Sequence, residues 1–212
     1  MTLVEQSMRQ LLAAFASSDP TPGGGSAAAV SSAVGASLLM MVSGLSKTRE
    51  GTDADRAALA SALIALTRVQ AQLTVAIDAD TAAYEQVVAA YKHAKSTDEE
   101  RAARKAAIQR ALHAATDVPL NVMRLSAEGL QHARAVAAHG HRPAASDVGV
   151  AIALLGAGLE GAQLNVEINL GSVADADYKA AVSAEVDRLL RAGSDAARAA
   201  RAALSEAPRQ GS

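Results

Sequence analysis

The stretch Pro20-Thr-Pro-Gly-Gly-Gly-Ser26 is followed by twenty residues that carry no charge, Ala27 to Ser46. The two prolines end any helix that precedes them, and the three glycines allow the backbone to adopt positive φ or to approach a neighbouring group closely. The uncharged run predicts a new helix, whose first turn has unpaired backbone N–H groups and the positive end of the helix dipole. We therefore expect an anion-binding loop here, although a tight helix–helix turn without a ligand would have a similar composition.

Two glycine-rich motifs that bind nucleotides do not account for this loop. No Gly-Lys-Ser/Thr follows the glycines, as a phosphate-binding Walker loop requires. The spacing Gly23-x-Gly25-x-x-Ala28 matches the dinucleotide pattern formally. That pattern has meaning only after a β-strand, and the apolar residues before the loop have helical spacing. The loop by itself therefore leaves the ligand open.

The composition indicates an all-α protein. Of the 212 residues, 53 are alanine, the best helix former, and no stretch shows the sustained alternation of a β-strand. We expect one domain, residues 1–212, forming a compact bundle of about six helices, two of them long and one kinked at Pro119. The predicted helices cover approximately residues 2–17, 27–46, 55–93, 99–138, 146–170 and 175–204, with Ser146 capping the fifth.

Charge and residue usage argue against several classes of function. The formal charge is -2, no basic stripe is present, and one Phe and three Tyr give no stacking platform for bases, so nucleic-acid binding is not expected. The five histidines do not form the i, i+4 pair with a carboxylate that a zinc site on a helix needs, so no metal site is predicted. The sequence begins without a secretory signal, which favours a cytoplasmic location.

The uncharged run from Ala27 to Ser46 is about long enough to span a bilayer. Its serines, glycines and alanines gain much less from lipid than a leucine-rich segment would, and no basic flank marks a cytoplasmic end. We expect a central helix that protein surrounds on all sides and no membrane partner. A membrane-associated helical protein is the distant alternative.

One carboxylate lies on the apolar stripe of the predicted 55–93 helix. The stripe has spacings of three and four and includes Ile77, Asp80 and Tyr84, whereas Asp78 points roughly 200° away. A carboxylate on such a stripe is costly unless it is paired or protonated, and desolvation raises its pKa towards the range of general acid–base catalysis. The alternative is a structural carboxylate that caps a neighbouring helix or pairs with an arginine.

A second polar group lies in the predicted 146–170 helix. Asn165 and Asn169 are four residues apart and share a face of an otherwise apolar helix, with three glycines just upstream. They are either a pocket wall that recognises a polar heterocycle or two buried amides that link helices. Asp147 is a further candidate, although an acidic residue is also favourable in any first helical turn.

Five stretches together resemble the cyclodeaminase/cyclohydrolase family, which comprises the C-terminal domain of formiminotransferase-cyclodeaminase and stand-alone bacterial relatives. They occur in the family's order and cover most of the chain up to Leu170. The stretches are Pro20-Thr-Pro-Gly-Gly-Gly-Ser26, Asp78-Ala-Asp80-Thr-Ala-Ala-Tyr84, Ala115-Thr-Asp-Val-Pro-Leu120, Ser146-Asp-Val-Gly-Val150 and Leu164-Asn-Val-Glu-Ile-Asn-Leu170.

The resemblance implies an all-helical homodimer or higher oligomer that acts on folate-bound one-carbon units, without a permanently bound cofactor. The substrate would be a tetrahydrofolate derivative, which can carry a polyglutamate tail. One family reaction closes 5-formiminotetrahydrofolate to 5,10-methenyltetrahydrofolate with loss of ammonia, a lyase step of histidine metabolism. The other hydrolyses methenyltetrahydrofolate to 10-formyltetrahydrofolate. The chain has no formiminotransferase domain, which favours the hydrolysis.

The resemblance also assigns roles to residues. The family's catalytic aspartate falls in the Asp-x-Asp motif, where the position on the apolar stripe favours Asp80. The expected substrate contacts come from the glycine loop, a lysine after the second helix, Asp147 and two amides, namely Gly23, Gly24, Gly25, Ser26, Lys47, Asp147, Asn165 and Asn169. Relatives often carry a Gly-Lys-…-Tyr segment where this chain keeps Lys47 but lacks the tyrosine. That change supports the alternative of a catalytically silent helical dimer, acting as a scaffold or folate sensor.

Overall fold

Helices account for nearly all of the regular structure in residues 2–205, the part of the chain that the computed structural model describes, and no strand forms there. The predicted all-α class, with six α-helices of which two are long, is confirmed. The α-helices are α1 (Met8–Phe15), α2 (Gly24–Ser43), α3 (Asp53–Tyr91), α4 (Asp98–His139), α5 (Ala145–Leu170) and α6 (Ala176–Ser205). Short 3₁₀ turns cover Leu3–Glu5 and Arg142–Ala144.

Three predicted helix ends are wrong. The first predicted helix is divided, because Ser7 caps α1 by accepting a hydrogen bond from the backbone N–H of Gln10. Helix α2 ends at Ser43 and is closed by Gly44, three residues before the predicted end. Ser146 does not cap α5, because the 3₁₀ turn Arg142–Ala144 runs directly into that helix. Helix α4 continues through Pro119, where the kink stays a prediction.

Helices α2 to α5 form a four-helix arrangement around the main core. Helix α2 packs between α3 and α5, α4 contacts the same two helices from the other side, and α6 covers α4 and part of α5. The large side chains that are fully buried come from α2 to α5 and include Leu39, Leu66, Leu73, Met123 and Leu155. The N-terminal end of α2 and the C-terminal end of α5 consequently meet at one end of the bundle, beside the second half of α3.

Small residues let α2 and α5 approach closely. A Cβ added to Gly158 would lie 1.8 Å from Ser32 Oγ and 2.8 Å from the carbonyl oxygen of Ala28. Ser32 in turn shares a buried hydrogen bond of 2.7 Å with Ser126 of α4. This is the close approach that the glycines of α5 predict, except at Gly156, where an added Cβ would meet nothing within 4 Å.

Protein does not surround α2 on all sides, so that expectation is wrong. The face that points away from α3 and α5 leaves a stripe exposed, consisting of Ala27, Val34, Ser37 and Met41. Between residues 2 and 205, three helical segments are long and apolar enough to cross a membrane by length and composition, namely Gly24–Ser43, Asp53–Tyr91 and Arg142–Leu170. In the first, 56% of the most apolar window is buried inside the protein.

Hydrogen bonds to the Asp55 carboxylate stabilise the loop between α2 and α3. The Asp55 side chain is 6% exposed and accepts hydrogen bonds from the backbone N–H of Glu50 at 2.8 Å and from Thr48 Oγ1 at 3.2 Å. His139 Nδ1 lies 2.7 Å from its other oxygen. These hydrogen bonds, that of His139 first, lower the pKa of Asp55 to about 2. The carboxylate therefore holds residues 48–50 against the end of α4.

We expect Asp55→Asn to lower the free energy of unfolding by about 1.5–3 kcal/mol, because hydrogen bonds to a buried charge are lost. A lowered pKa means that the stabilisation by Asp55 is present above the ordinary pKa of 3.8 and disappears as the pH falls from about 4 to 2. Urea unfolding across that pH range measures both effects. The control is Asp53→Asn, whose side chain is 99% exposed. Equal effects of the two substitutions would contradict the anchoring role.

Candidate active site

A cavity of about 290 Å³, called the Asp80 cavity below, opens at the N-terminal end of α2. Residues far apart in the sequence meet there because the glycine loop, the second half of α3, the first half of α4 and the end of α5 share this end of the bundle. The lining consists of Pro20, Thr21, Gly23, Gly24, Asp80, Tyr84, Val87, Leu112, Ala115, Asn165 and Asn169.

The side chain of Asp80, on α3, caps the N-terminal turn of α2. Its Oδ2 accepts a hydrogen bond from the backbone N–H of Ser26 at 2.9 Å and lies 3.2 Å from Ser26 Oγ. The residue that precedes α2, Gly23, has no side chain with which to cap the helix. The α3 carboxylate therefore takes the place of an N-cap side chain, so Asp80 lines the cavity and also has the capping role considered as an alternative.

Burial sets the acid–base behaviour of Asp80. Desolvation raises the pKa of this carboxyl above its ordinary value, and the two hydrogen bonds from Ser26 lower it by a smaller amount. The pKa of Asp80 is therefore raised overall. The residue lies on the apolar stripe of α3, as the sequence pattern predicts. A carboxyl of this kind exchanges a proton more readily near neutral pH than an exposed aspartate does.

The glycines of the loop allow close approach and do not provide positive φ. Within residues 2–205 the glycine with positive φ is Gly51, and Gly23 has a φ of -119°. A Cβ on Gly25 would lie 2.1 Å from Asp80 Oδ1, whereas a Cβ on Gly24 would lie 3.4 Å from Asn165 Nδ2. Gly25 therefore creates the space that the Asp80 carboxyl occupies.

The two asparagines of α5 line the cavity, and their amide N–H groups are already engaged. Asn165 Nδ2 donates to the carbonyl oxygen of Gly161 and Asn169 Nδ2 to that of Ala115, each at 2.8 Å. Because a carbonyl can only accept, these bonds fix which way each amide is turned. Neither Oδ1 accepts a hydrogen bond from another residue between 2 and 205, so both are available to N–H groups of a ligand.

Two of the expected substrate contacts lie elsewhere. Lys47 follows the C-terminal end of α2 and lines a different cavity with Thr48, Glu50 and Arg142, and Asp147 lies in the first turn of α5. Helix α2 alone spans about 30 Å, since each of its residues rises 1.5 Å. Within one chain, the structure therefore does not bring Lys47 or Asp147 to the Asp80 cavity. It does bring together Gly23, Gly24, Asp80, Asn165 and Asn169, with Gly25 and Ser26 directly behind them.

Part of the cavity wall was not predicted as functional. Tyr84 lies one turn after Asp80 on the same stripe of α3, and Ala115 begins one of the five matching stretches, so both had a signal in the sequence. Pro20 and Thr21 also belong to such a stretch. Val87 and Leu112 are indistinguishable from core residues by pattern.

Comparisons with known proteins show which proteins the chain is similar to. The family model for formiminotransferase-cyclodeaminase matches residues 7–188. A methenyltetrahydrofolate cyclohydrolase from Methylorubrum extorquens is 40% identical over 185 residues, which are 87% of this chain and 89% of that protein. The formimidoyltransferase-cyclodeaminase of Sus scrofa is 32% identical over 190 residues, which are 90% of this chain and 35% of that protein.

A solved structure has the same fold. Formiminotetrahydrofolate cyclodeaminase from Thermotoga maritima superposes with a TM-score of 0.84 at 24% identity, over 95% of this chain and 96% of that one. With the family model matching most of the sequence and a relative at 40% identity over nearly its whole length, the chain belongs to the formiminotransferase-cyclodeaminase family.

Proposed function

We propose that the chain is a folate one-carbon enzyme that hydrolyses 5,10-methenyltetrahydrofolate to 10-formyltetrahydrofolate at the Asp80 cavity. The observation that carries the proposal is that one carboxyl of raised pKa and two asparagine amides, whose oxygens have no partner among residues 2–205, line the same cavity, which is large enough for a bicyclic heterocycle. The name of the Methylorubrum extorquens relative supports hydrolysis over the ammonia-releasing reaction. The Asn165 and Asn169 oxygens accept hydrogen bonds from pterin N–H groups in this proposal.

In the proposed hydrolysis, Asp80 acts first as a general base and then as a general acid, with the same proton. Its carboxylate first takes a proton from a water molecule, whose oxygen bonds to the cationic carbon between N5 and N10 of the folate. The tetrahedral adduct then breaks its bond to N5, and Asp80 returns the proton to that nitrogen. The formyl group remains on N10, and one further proton leaves the adduct's hydroxyl group for solvent. The positive charge of the substrate also favours the ionised form of Asp80 before the first step.

The same carboxyl would serve the cyclodeaminase reaction. There N10 loses its proton as it bonds to the formimino carbon, and the imino nitrogen takes up a proton to become an amino group. The bond from the carbon to that nitrogen then breaks, and Asp80 protonates the nitrogen as it leaves as ammonia. Both reactions pass through a tetrahedral carbon between the same two nitrogens. A lyase activity in histidine metabolism is therefore the second candidate, which the Sus scrofa relative's name favours.

We further propose that two copies pair in the cytoplasm through the exposed stripe of α2. The whole of α2 is uncharged, and its exposed face carries Val34 and Met41. A second copy would cover this face by an isologous contact about a two-fold axis. Light scattering without detergent tests the pairing, and a monomer at micromolar concentration, or recovery in membranes only, would contradict it.

An absorbance assay tests the reaction itself. Purified protein is mixed with 5,10-methenyltetrahydrofolate in one experiment and with 5-formiminotetrahydrofolate in another, and the methenyl chromophore is followed. Its accelerated loss indicates the hydrolysis, and its appearance from the formimino substrate indicates the cyclodeaminase. If neither substrate reacts faster than it does without protein, the chain is a scaffold or folate sensor and the proposed activity is wrong.

A further inference from the structure

Ser26 holds one oxygen of the Asp80 carboxyl and leaves the other free. Its backbone N–H donates to Oδ2 at 2.9 Å, and its Oγ lies 3.2 Å from the same oxygen. The other oxygen, Oδ1, has no hydrogen-bond partner among residues 2–205. Oδ1 is therefore the oxygen whose lone pairs are available for a proton from the reacting water, while Oδ2 stays bound to α2.

The Ser26 hydroxyl has one proton and two acceptors within reach. Its Oγ lies 2.8 Å from the carbonyl oxygen of Ile77, a normal length for a hydroxyl hydrogen bond, and 3.2 Å from Asp80 Oδ2, which is longer than usual. Because a hydroxyl has a single hydrogen to donate, the two bonds compete for it. Rotation about the Cβ–Oγ bond moves the proton from one acceptor to the other without displacing Oγ.

The charge of the carboxyl decides which acceptor the hydroxyl proton faces. A hydrogen bond to an ionised carboxylate is roughly twice as strong as one between neutral groups, so the proton faces Oδ2 while Asp80 is ionised. Once Oδ1 carries a proton, the carboxyl is neutral and the closer Ile77 carbonyl is the better acceptor. That carbonyl lies inside α3 and already accepts the helix's own backbone hydrogen bond, so it keeps a partner when the hydroxyl turns away.

The surroundings of Asp80 leave Ser26 as its main polar neighbour. Helix α2 carries no charged residue, and α4 and α5 contribute apolar side chains and asparagine amides to the cavity lining. On α3, the other titratable lining residue is Tyr84, whereas Asp78 bonds to the backbone N–H of Leu3 instead. Ser26 is itself fully buried, so it acts on a ligand through this carboxyl and not by contact.

We propose that Ser26 is a positioning residue for the hydrolysis, with a hydroxyl that turns to Asp80 Oδ2 when the carboxyl is ionised and to the Ile77 carbonyl when the carboxyl is protonated. The inference rests on the proposed function. In the first step an O–H bond of water breaks and one forms at Oδ1, which releases the hydroxyl from Oδ2. In the second step the Oδ1–H bond breaks, an N–H bond forms at N5 of the folate, and the hydroxyl returns.

The first test needs no substrate and follows the Asp80 carboxyl carbon by NMR as the pH is changed. Ser26→Ala removes a hydrogen bond that the ionised carboxyl accepts and the protonated one does not. We therefore expect the carboxyl to titrate about one pH unit higher than in the wild type. Asp80→Asn identifies the signal. The matched control is Ser32→Ala, because Ser32 is also a fully buried serine of α2 but shares its hydrogen bond with Ser126, and this variant should titrate as the wild type does.

Kinetics test the role in the reaction. The rise of kcat with pH for methenyltetrahydrofolate should move upward by the same interval in Ser26→Ala, so that kcat on the acid side falls about 10-fold. KM should change much less, since Ser26 does not line the cavity. A merely structural serine would lower stability without moving the pH at which kcat is half-maximal.

The outcomes separate this inference from the proposed function. A carboxyl that titrates at the same or a lower pH in Ser26→Ala overturns the inference, and so does an equal displacement in Ser32→Ala, which reflects loosened packing. A displaced titration with an unchanged kinetic profile overturns the role in the reaction. All three results leave the hydrolysis itself intact. If the wild type does not accelerate the loss of the methenyl chromophore, the proposed function fails, and the role of Ser26 in proton transfer fails with it.

Discussion

Replacement of Asp80 by asparagine is expected to lower kcat for methenyltetrahydrofolate by about 10²–10⁴-fold, because the amide cannot accept or return the proton. Folate affinity should change little, since the shape of the cavity is kept. The amide oxygen can still accept the backbone hydrogen bond from Ser26, so the cap on α2 is retained in part. Steady-state kinetics of the two proteins, with far-UV circular dichroism as a check on folding, measures the effect.

Asp78→Asn provides the matched control for this substitution. Asp78 lies on the same helix two residues earlier, but its Oδ1 accepts a hydrogen bond from the backbone N–H of Leu3 at 2.5 Å and it does not line the cavity. Its replacement should loosen the N-terminal 3₁₀ turn and leave kcat within a few-fold of the wild type. If Asp78→Asn removes turnover and Asp80→Asn does not, the catalytic assignment is wrong.

The raised pKa of Asp80 also has consequences for pH dependence. A carboxyl whose pKa is higher in the folded protein than in the unfolded chain stabilises the fold most below the ordinary value of 3.8, and this contribution is lost as the pH rises through the folded value. The free energy of unfolding of Asp80→Asn should therefore not decrease in this way as the pH rises. Hydrolysis needs the ionised carboxyl, so the rate of the wild type should rise with pH over the same interval.

The second large effect is expected for Gly25→Ala. The added Cβ would lie 2.1 Å from Asp80 Oδ1, closer than any non-bonded contact allows, so the carboxyl or the first turn of α2 must shift by about 1 Å. A displacement of that size in a proton-transfer group costs about 10²-fold in rate. Overpacking should also lower the free energy of unfolding by about 1–3 kcal/mol. Kinetics and urea unfolding on the same preparation measure both changes.

Two other alanine substitutions show whether the effect is specific. Gly149→Ala adds the same methyl group to α5 where nothing lies within 4 Å, and it should leave the rate unchanged. Gly24→Ala places the methyl group 3.4 Å from Asn165 Nδ2, so its effect should be intermediate and fall mainly on KM. A wild-type rate in Gly25→Ala would show that Asp80 need not occupy its observed position.

Periodicity and composition were enough to predict the helices and the position of Asp80 on a buried seam, because both depend on local spacing. They left capping of a neighbouring helix by Asp80 open as an alternative, but they could not show that the capped helix is α2, since this contact joins residues 54 positions apart. Lys47 lies outside the Asp80 cavity of its own chain for a related reason. A motif shows which residues occur together in a family, but the length of α2 decides which of them share a cavity in one chain. The exposed stripe on α2 was also missed, because an uncharged helix looks the same in sequence whether or not a neighbour covers all of it.

In the proposed mechanism, the hydrogen bond between Asp80 and Ser26 makes the packing of α2 against α3 necessary for catalysis. The proton-transfer group belongs to α3, and the N–H that holds it belongs to α2, so neither helix contains the working site alone. Turnover therefore reports directly on the packing of α2 against α3. During gradual denaturation, activity should disappear as these helices separate, while much of the helical circular dichroism signal is still present. A folate bound in the Asp80 cavity, which residues of both helices line, should delay that separation, and the delay should grow with the logarithm of the folate concentration above Kd.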